Sequence, residues 1–155
     1  MSVNIERLDF ESAETVFALV QRLLKELGDE EGDLGKLNKP AVLRAWKESS
    51  DKIFTFAATS DDRSTIGLAT VVEAFAIYAN GTYGIINEMY VDPSFRSKGV
   101  GHQLLISVLE LARVRGWSRI DVTAPESEGW DRTRAFYERE GFTFTGTKLK
   151  RVLKQ

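Results

Sequence analysis

The run Asn87-Glu88-Met89-Tyr90-Val91-Asp92-Pro93-Ser94-Phe95-Arg96-Ser97-Lys98-Gly99-Val100-Gly101 concentrates the residues best suited to chemistry. An apolar, strand-like stretch reaches Asp92-Pro93, where proline ends pairing because it has no N–H to donate. A turn carrying two cations, Arg96 and Lys98, then leads through Gly99 and Gly101 directly into a helical pattern. The first amides of a helix lack internal partners and lie at the positive end of its dipole, so such a junction attracts anions. Glycine lets that backbone approach a ligand closely, and the flanking cations add charge-assisted contacts. Holding a phosphate or pyrophosphate is the chemistry this suggests. The same glycines also suit a plain tight turn from strand to helix, and on their own they leave both readings open.

Two other phosphate-binding patterns are missing from the sequence. No G-x-x-x-x-G-K-[ST] string occurs, and Leu104 stands where a dinucleotide fingerprint needs its third glycine. Glu88 is the second group of interest. It lies in an otherwise apolar strand, and strand alternation puts its side chain on the face of Ile86 and Tyr90. A carboxylate partly removed from water holds its proton more tightly, which suits it to take a proton from a reacting group, directly or through a water. An ion pair with a basic neighbour, or exposure at the strand end, accounts for Glu88 as well. Asn87 reads as a strand-edge hydrogen-bonding residue and Asp92 as the turn former before Pro93. His102 falls in the first helical turn, where its amide matters more than its ring, and no nucleophile-elbow motif supports a serine triad built on it.

These residues belong to a chain of 155, of which 43% are hydrophobic and 28% charged, values typical of one soluble globular domain. We therefore expect a single domain over residues 1–155. The net charge of -2 and the lack of a long basic block argue against nucleic acid as a partner. Lys148, Lys150, Arg151 and Lys154 alternate with Leu149, Val152 and Leu153, as on the solvated face of a strand. There is no cysteine, which removes disulfides, thiolate metal sites and a cysteine nucleophile, and one histidine, which removes a multi-histidine metal site. No metal is expected. Neither a signal-like leader nor an apolar run long enough to span a bilayer is evident, so a cytoplasmic location without membrane attachment is the expectation.

Patterning supplies the elements that must position the loop. Val3, Ile5 and Leu8 suggest an opening strand; Val16, Val20, Leu23, Leu24 and Leu27 recur at helical spacing, with Gly28 as the stop. Residues 29–33 read as an exposed acidic loop and 41–47 as a second helix, just after Pro40. Strands are predicted over 53–58, 66–75 and 83–91, with polar turns at 60–64 and Asn80-Gly81, as an antiparallel meander. A helix over 99–115 ends at Gly116, and a strand follows over 120–123. A short helix over 131–140 has Asp131 as candidate N-cap and Gly141 as its stop, and strands over 142–145 and 149–153 close the chain. The order β-α-α-β-β-β-α-β-α-β-β grafts a βαβ crossover onto an antiparallel sheet, which predicts an α/β fold with a mixed, mostly antiparallel sheet flanked by helices.

At this point the chain resembles a known family. Arg96-Ser97-Lys98-Gly99-Val100-Gly101 is similar to the [QR]-x-x-G-x-[GA] motif of GNAT-superfamily N-acetyltransferases, introduced here by Tyr90-Val91-Asp92-Pro93. Thr133-Arg134-Ala135-Phe136-Tyr137-Glu138-Arg139-Glu140-Gly141-Phe142 resembles the later motif of that family, a helix bearing Phe-Tyr and closed by Gly-Phe. The two blocks lie in the expected order on the expected elements. The resemblance implies a splayed sheet that admits the pantetheine of acetyl-CoA between the strand ending at Val91 and the strand at 120–123. Backbone groups of Met89, Tyr90 and Val91 would bind pantetheine, and amides of Arg96, Ser97, Lys98, Gly99, Val100, Gly101 and His102 the pyrophosphate. Val91 N–H is the oxyanion donor the resemblance implies. Where the family often has a cofactor-binding asparagine this chain has Trp130, so that hydrogen bond is either lost or supplied by Arg132.

The implied activity is transfer of an acetyl group to a primary amine of a small molecule or peptide, in a ternary complex. Such transfer needs a base for the amine, stabilisation of the carbonyl oxygen and a donor to the leaving thiolate. Glu88 is the candidate base, and Tyr137, beside Phe136 in the second motif, is the donor the resemblance picks out; an aromatic anchor is the other reading of Tyr137. Trp46, Phe75, Tyr78 and Tyr83 suit an acceptor pocket or ordinary packing equally. The acidic loop at 29–33 suits attraction of a cationic amine, or simple solvation. A homodimer is the family-based expectation. A non-catalytic domain that binds or senses acyl-CoA is the second reading, against which Tyr137 and the strand carboxylate argue.

Overall fold

The computed structural model describes residues 2–26, 36–123, 131–146 and 148–153. The chain divides into two compact units, Met1–Asp121 and Val122–Gln155. The expected stop at Gly28, the acidic loop at 29–33 and Trp130 lie outside the described residues.

The first unit carries β1 (Asn4–Leu8), α1 (Ala13–Glu26), α2 (Lys39–Glu48), β2 (Ile53–Thr59), β3 (Thr65–Ala76), β4 (Gly81–Val91), α3 (Val100–Arg115) and the start of β5 (Ile120–Val122). The strands form one sheet in the order β1-β2-β3-β4-β5. β1 to β4 pair antiparallel in sequence, as the meander pattern predicts. Ser118 N–H donates to Thr82 O at 3.4 Å and Gly84 N–H to Arg119 O at 3.1 Å, so both chains climb in the same sense and β5 runs parallel to β4. The sheet is mixed.

Both faces of the sheet are covered. Val16 and Leu19 of α1 pack with Leu68 and Tyr90, joined by Leu8, Leu23 and Trp46 of α2. On the other face Val100, Leu104, Leu105, Val108, Leu111 and Ala112 of α3 are buried at helical spacing. α3 sits close there, since a Cβ on Gly67 would lie 3.3 Å from both Val100 and Leu104. α2 begins two residues before the predicted start because Asn38 Oδ1 accepts the Ala41 N–H at 3.1 Å, which leaves Pro40 inside the first turn. The Asn80-Gly81 signal is a turn, though not a two-residue one. A 3-10 turn over Ile77–Ala79 precedes Asn80, which takes the left-handed conformation (φ 59°) that asparagine tolerates.

α3 ends as glycine chemistry predicts. Gly116 has φ 71°, its N–H donates to Arg113 O, and Trp117 N–H donates to Ala112 O at 2.9 Å. This paired closure swings Trp117 back onto the sheet, edge-on to Phe54 with ring centroids 5.9 Å apart. Its Nε1–H donates to Glu73 Oε2 at 2.6 Å, and Arg115 forks onto the same carboxylate at 2.9 and 2.8 Å. The Arg115 hydrogen bonds hold the Glu73 carboxyl below its usual range.

In the second unit α4 (Asp131–Arg139) ends in the same way: Gly141 (φ 95°) donates to Glu138 O and Phe142 to Tyr137 O at 3.0 Å. Asp131 is the first helical residue rather than the cap. The predicted strands over 142–145 and 149–153 are not formed: residues 142–146 and 148–153 carry no strand. The Phe142 amide is spent on the helix end, and alternation of apolar and polar residues makes a strand only where a partner takes its hydrogen bonds. Leu149 is 90% exposed, so this alternation hides no apolar face.

Gly84 is held to glycine by space, since a Cβ there would lie 2.5 Å from the Trp117 ring. Gly84→Ala should therefore lower the free energy of unfolding by about 2 kcal/mol, read from urea denaturation. A variant as stable as the parent would mean that Trp117 moves aside without cost.

Candidate active site

The pairing of β3 with β4 slips between Thr70 and Val71: Thr70 faces Glu88, Val71 faces Ile86, and Asn87 is the extra residue of a bulge. Thr70 and Val71 point to opposite faces of the sheet, so Glu88 and Ile86 do too. This corrects the simple alternation, which put Ile86, Glu88 and Tyr90 on one face. Glu88 keeps the company of Tyr90 and Leu68 on the α1 side, while Ile86 turns toward α3. The Thr70 hydroxyl donates to Glu88 Oε2 and accepts the Glu88 N–H at 3.1 Å. Burial pushes the Glu88 carboxyl up to about 7. At neutral pH both of its protonation states are therefore accessible, as proton abstraction requires. No ion pair of Glu88 occurs among the described residues, which disfavours the ion-pair reading.

Beyond β4 the chain is built to turn sharply. Asp92 Oδ1 accepts the Ser94 N–H at 2.9 Å and Asp92 O the Phe95 N–H at 2.8 Å, which makes Asp92 the turn former expected. Ser97 (φ 60°) and Gly99 (φ 82°) take left-handed conformations, and α3 starts at Val100. The first intrahelical bond runs from Gln103 N–H to Gly99 O at 3.1 Å, so the Val100 and Gly101 amides precede the helical ladder, and the N-cap Gly99 has no side chain to cap them. Apart from its chain neighbours, no atom of the described residues lies within 4 Å of where a Gly99 Cβ would stand, so the start of α3 has space beside it. The donor set fits a pyrophosphate. The cations behave differently from each other. Arg96 is tied down, with Nε on Val91 O at 2.9 Å and its guanidinium on Glu26 of α1, whereas Lys98 lies at the surface with its ammonium 5.5 Å from the Phe95 ring centroid. Arg96 thus braces the turn. Glu26 and Thr70 are the two partners that sequence reading missed; they lie 70 and 18 residues from the groups they hold, and no local pattern marks them.

β5 has three residues against eleven in β4, and Arg119 already stands beside Gly84. β4 therefore runs on past its short parallel neighbour, while Met89, Tyr90 and Val91 stay paired to β3 on the other side. Thr123, included in the predicted strand, falls outside it. In the second unit Tyr137 is 6% exposed and sits edge-on between Phe136 and Phe142, with centroids 5.2 and 5.4 Å away. Burial pushes its hydroxyl up to about 12, so it stays protonated at neutral pH. Arg132 is exposed in the first turn of α4. Trp46 belongs to the apolar cluster under α1, apart from Tyr78 and Tyr83, which pair at the far end of the β3–β4 hairpin with Arg119 over both rings. No group of three or more metal-ligating residues occurs among the described residues, and no helix there is long and apolar enough to cross a membrane.

Residues 51–144 match the model of the acetyltransferase (GNAT) domain. The chain belongs to the GNAT acetyltransferase family. Solved structures agree on the fold. An aminoglycoside acetyltransferase from an uncultured soil metagenomic sample is 20% identical, with a TM-score of 0.83 over 99% of this chain and 100% of that one. A predicted acetyltransferase from Clostridium acetobutylicum, crystallised with acetyl-CoA, is 20% identical, with a TM-score of 0.78 over 97% and 96%. A ribosomal-protein-alanine N-acetyltransferase from Brucella melitensis biovar Abortus 2308 is 17% identical, with a TM-score of 0.73 over 99% and 100%. No curated protein matches the sequence significantly.

The Glu88 carboxyl gives the GNAT core a pH-dependent stability. Its ordinary value is 4.5 and its folded value about 7, so between them the folded chain holds a proton that the unfolded chain has released. Stability then falls as pH rises through that window, by about 3 kcal/mol in all, and levels off above it. Glu88→Gln should be more stable than the parent above about pH 7, with the gap closing below about pH 4.5. Urea denaturation across pH reads this directly, and a gap independent of pH would count against a buried, titrating Glu88.

Proposed function

We propose that this GNAT-family chain is an N-acetyltransferase that moves an acetyl group from acetyl-CoA to a primary amine of a small molecule or peptide. The observation that carries this reading is Glu88, a buried carboxyl that titrates near neutrality on the strand leading into the open amides of α3. Acetyl-CoA serves as cosubstrate. The amides of Val100 and Gly101, with those of the preceding turn and of His102, take its pyrophosphate, and Met89, Tyr90 and Val91 offer backbone groups to pantetheine where β4 outruns β5. The reaction is direct. The amine nitrogen bonds to the thioester carbon, its proton passes to Glu88, Val91 N–H supports the carbonyl oxygen, and the C–S bond breaks to release the CoA thiolate.

Tyr137 is the donor to the departing sulfur in this reading, supported by its place in the second family motif and by its buried, protonated hydroxyl. A phenol held at about 12 is a weaker acid than a thiol, whose ordinary pKa is about 8.5, so Tyr137 stabilises the thiolate through a hydrogen bond rather than by losing its proton outright. Phe136 and Arg132 complete the cofactor side. We read residues 1–155 as one acetyltransferase domain, because the family match runs through both units. The related structures include enzymes for aminoglycosides and for a ribosomal protein, which supports an amine acceptor of either small-molecule or polypeptide type. A cytoplasmic homodimer completes the reading; sedimentation of the purified protein tests its assembly.

The test is thiol release from acetyl-CoA with aminoglycosides, polyamines and alanine-initiated peptides as acceptors. Turnover with at least one acceptor is expected. CoA binding without turnover on any of them would favour an acyl-CoA-sensing domain, and no binding would overturn the assignment. Gly99→Glu should abolish CoA binding in a titration while the fold persists, because it sets a carboxylate and a left-handed strain at the anion site. Tyr137→Phe should slow turnover by about a hundredfold and leave CoA affinity within about twofold of the parent. Unchanged turnover would remove Tyr137 from the mechanism.

A further inference from the structure

We propose that Thr70 is a positioning residue for Glu88, and that its hydroxyl leaves Oε1 as the carboxylate oxygen that receives the proton of the amine. The inference rests on Glu88 as the base and concerns how that base is held. Thr70 and Glu88 are direct partners across β3 and β4, and two hydrogen bonds join them. One of these has a fixed direction. The Glu88 amide can only donate, so Thr70 Oγ1 accepts there, at 3.1 Å. A hydroxyl carries a single proton, and the bond of Thr70 to Glu88 Oε2 uses it. Oε2 is thus the acceptor when the carboxylate is charged, and a proton placed on it would require Thr70 to give up its donor role and turn its own proton away. Among the described residues Oε1 carries no such donor, and it is the oxygen open to a new proton.

The surroundings leave this task to Thr70. On the face shared with Glu88 stand Leu68 and Thr70 of β3, Thr55 of β2, Tyr90 of β4, Val16 and Leu19 of α1 and Trp46 of α2. Among their neighbours the charged Arg22, Glu26, Asp92 and Arg96 act on Tyr90, and burial is the cause of the raised Glu88 carboxyl. A carboxylate lifted by burial needs a donor that steadies its charged form, or it would hold its proton too tightly to act near neutrality. Thr70, itself buried, is that donor. Thr55 supplies a matched control: it sits opposite Thr70, is 1% exposed, and its hydroxyl has no hydrogen-bond partner among the described residues.

The test follows the side-chain carboxyl signal of Glu88 by NMR across pH in the full chain labelled with 13C-glutamate, assigned through Glu88→Gln. Thr70→Val should raise the midpoint by about one pH unit, because it removes a donor to the charged form, and Thr70→Ser should restore it. Thr55→Val should leave the midpoint in place. In thiol release with the best acceptor of the panel, Thr70→Val should lower kcat by about tenfold at unchanged KM for acetyl-CoA, with the acidic limb of the pH profile moving up with the NMR midpoint. Thr70→Ala repeats the comparison without the branched side chain. An unmoved midpoint in Thr70→Val and Thr70→Ala, a Thr70→Ser that behaves like them, or an equal shift in Thr55→Val overturns the proposal. Full turnover in Glu88→Gln sinks the base itself, and the proposal with it; lost turnover there beside an unmoved Thr70→Val midpoint sinks the proposal alone.

Discussion

One inserted residue in β4 decides how this sheet serves two opposite faces. N-terminal to Asn87, β4 sends Ile86 toward α3 and lies with Gly84 under the Trp117 ring. C-terminal to it, the strand sends Glu88 and Tyr90 toward α1. A strictly alternating strand could satisfy only one of these arrangements. With Gly84 and Ile86 in place, regular pairing would turn Glu88 and Tyr90 toward the apolar face of α3 and carry Glu88 away from the Thr70 hydroxyl. With Glu88 and Tyr90 in place, it would carry Ile86 away from α3 and draw Gly84 from beneath Trp117. The bulge resolves the conflict for the cost of one unpaired residue, and it brings the Glu88 amide and carboxylate onto a single threonine.

That placement divides the electrostatic work of the site between backbone and side chains. In the proposed reaction the anion-binding part is mostly backbone: amides at the start of α3 that precede its helical ladder, beside a glycine with space around its Cα. Each hydrogen bond to a charged group is worth about 1.5–3 kcal/mol, whereas an exposed lysine such as Lys98 adds about 0–1 kcal/mol. Arg96 contributes by another route, since its fork spans Val91 O and Glu26 and so fixes the turn that aims those amides. The proton handling proposed for Glu88 and Tyr137 relies on side-chain burial, which lifts the Glu88 carboxyl to about 7 and the Tyr137 hydroxyl to about 12. Under that proposal burial acts in opposite senses on the two: it readies the carboxylate to accept a proton and restrains the phenol from giving one up.

Much of this was legible in the sequence, and the failures share a cause. Periodicity located α1 to α4 and β1 to β5 among the described residues, and the glycine stops at 116 and 141 closed their helices as predicted, because these signals are local and backbone-based. The turn at Asp92-Pro93 and the start of α3 after Gly99 were legible for the same reason. The bulge was not, because Ile86-Asn87-Glu88 reads as ordinary alternation unless the partner strand is known, and it reversed the expected relation of Glu88 to Ile86. Thr70 and Glu26 lacked any signal because their importance comes from register and from tertiary approach. The two strands expected after Gly141 failed in the converse way: residues 149–153 alternate correctly, yet pattern cannot supply a neighbouring strand.

The dominance of backbone in the proposed anion-binding segment also bears on how widely this fold tolerates sequence change. The related acetyltransferase structures superpose with TM-scores of 0.73 to 0.83 at identities of only 17 to 20%. A site made from helix-terminal amides, a left-handed glycine and unpaired strand groups asks little of most side chains, provided the turn and the strand ends keep their geometry. Side chains matter where a proton must move, and there the demand is specific: a carboxylate, a burial that raises it and a hydroxyl that orients it. In this chain a buried carboxyl and the hydroxyl bonded to it coincide at one bulged pair, so register in the β3–β4 hairpin, more than the identity of the loop residues, couples the fold to the chemistry proposed for it.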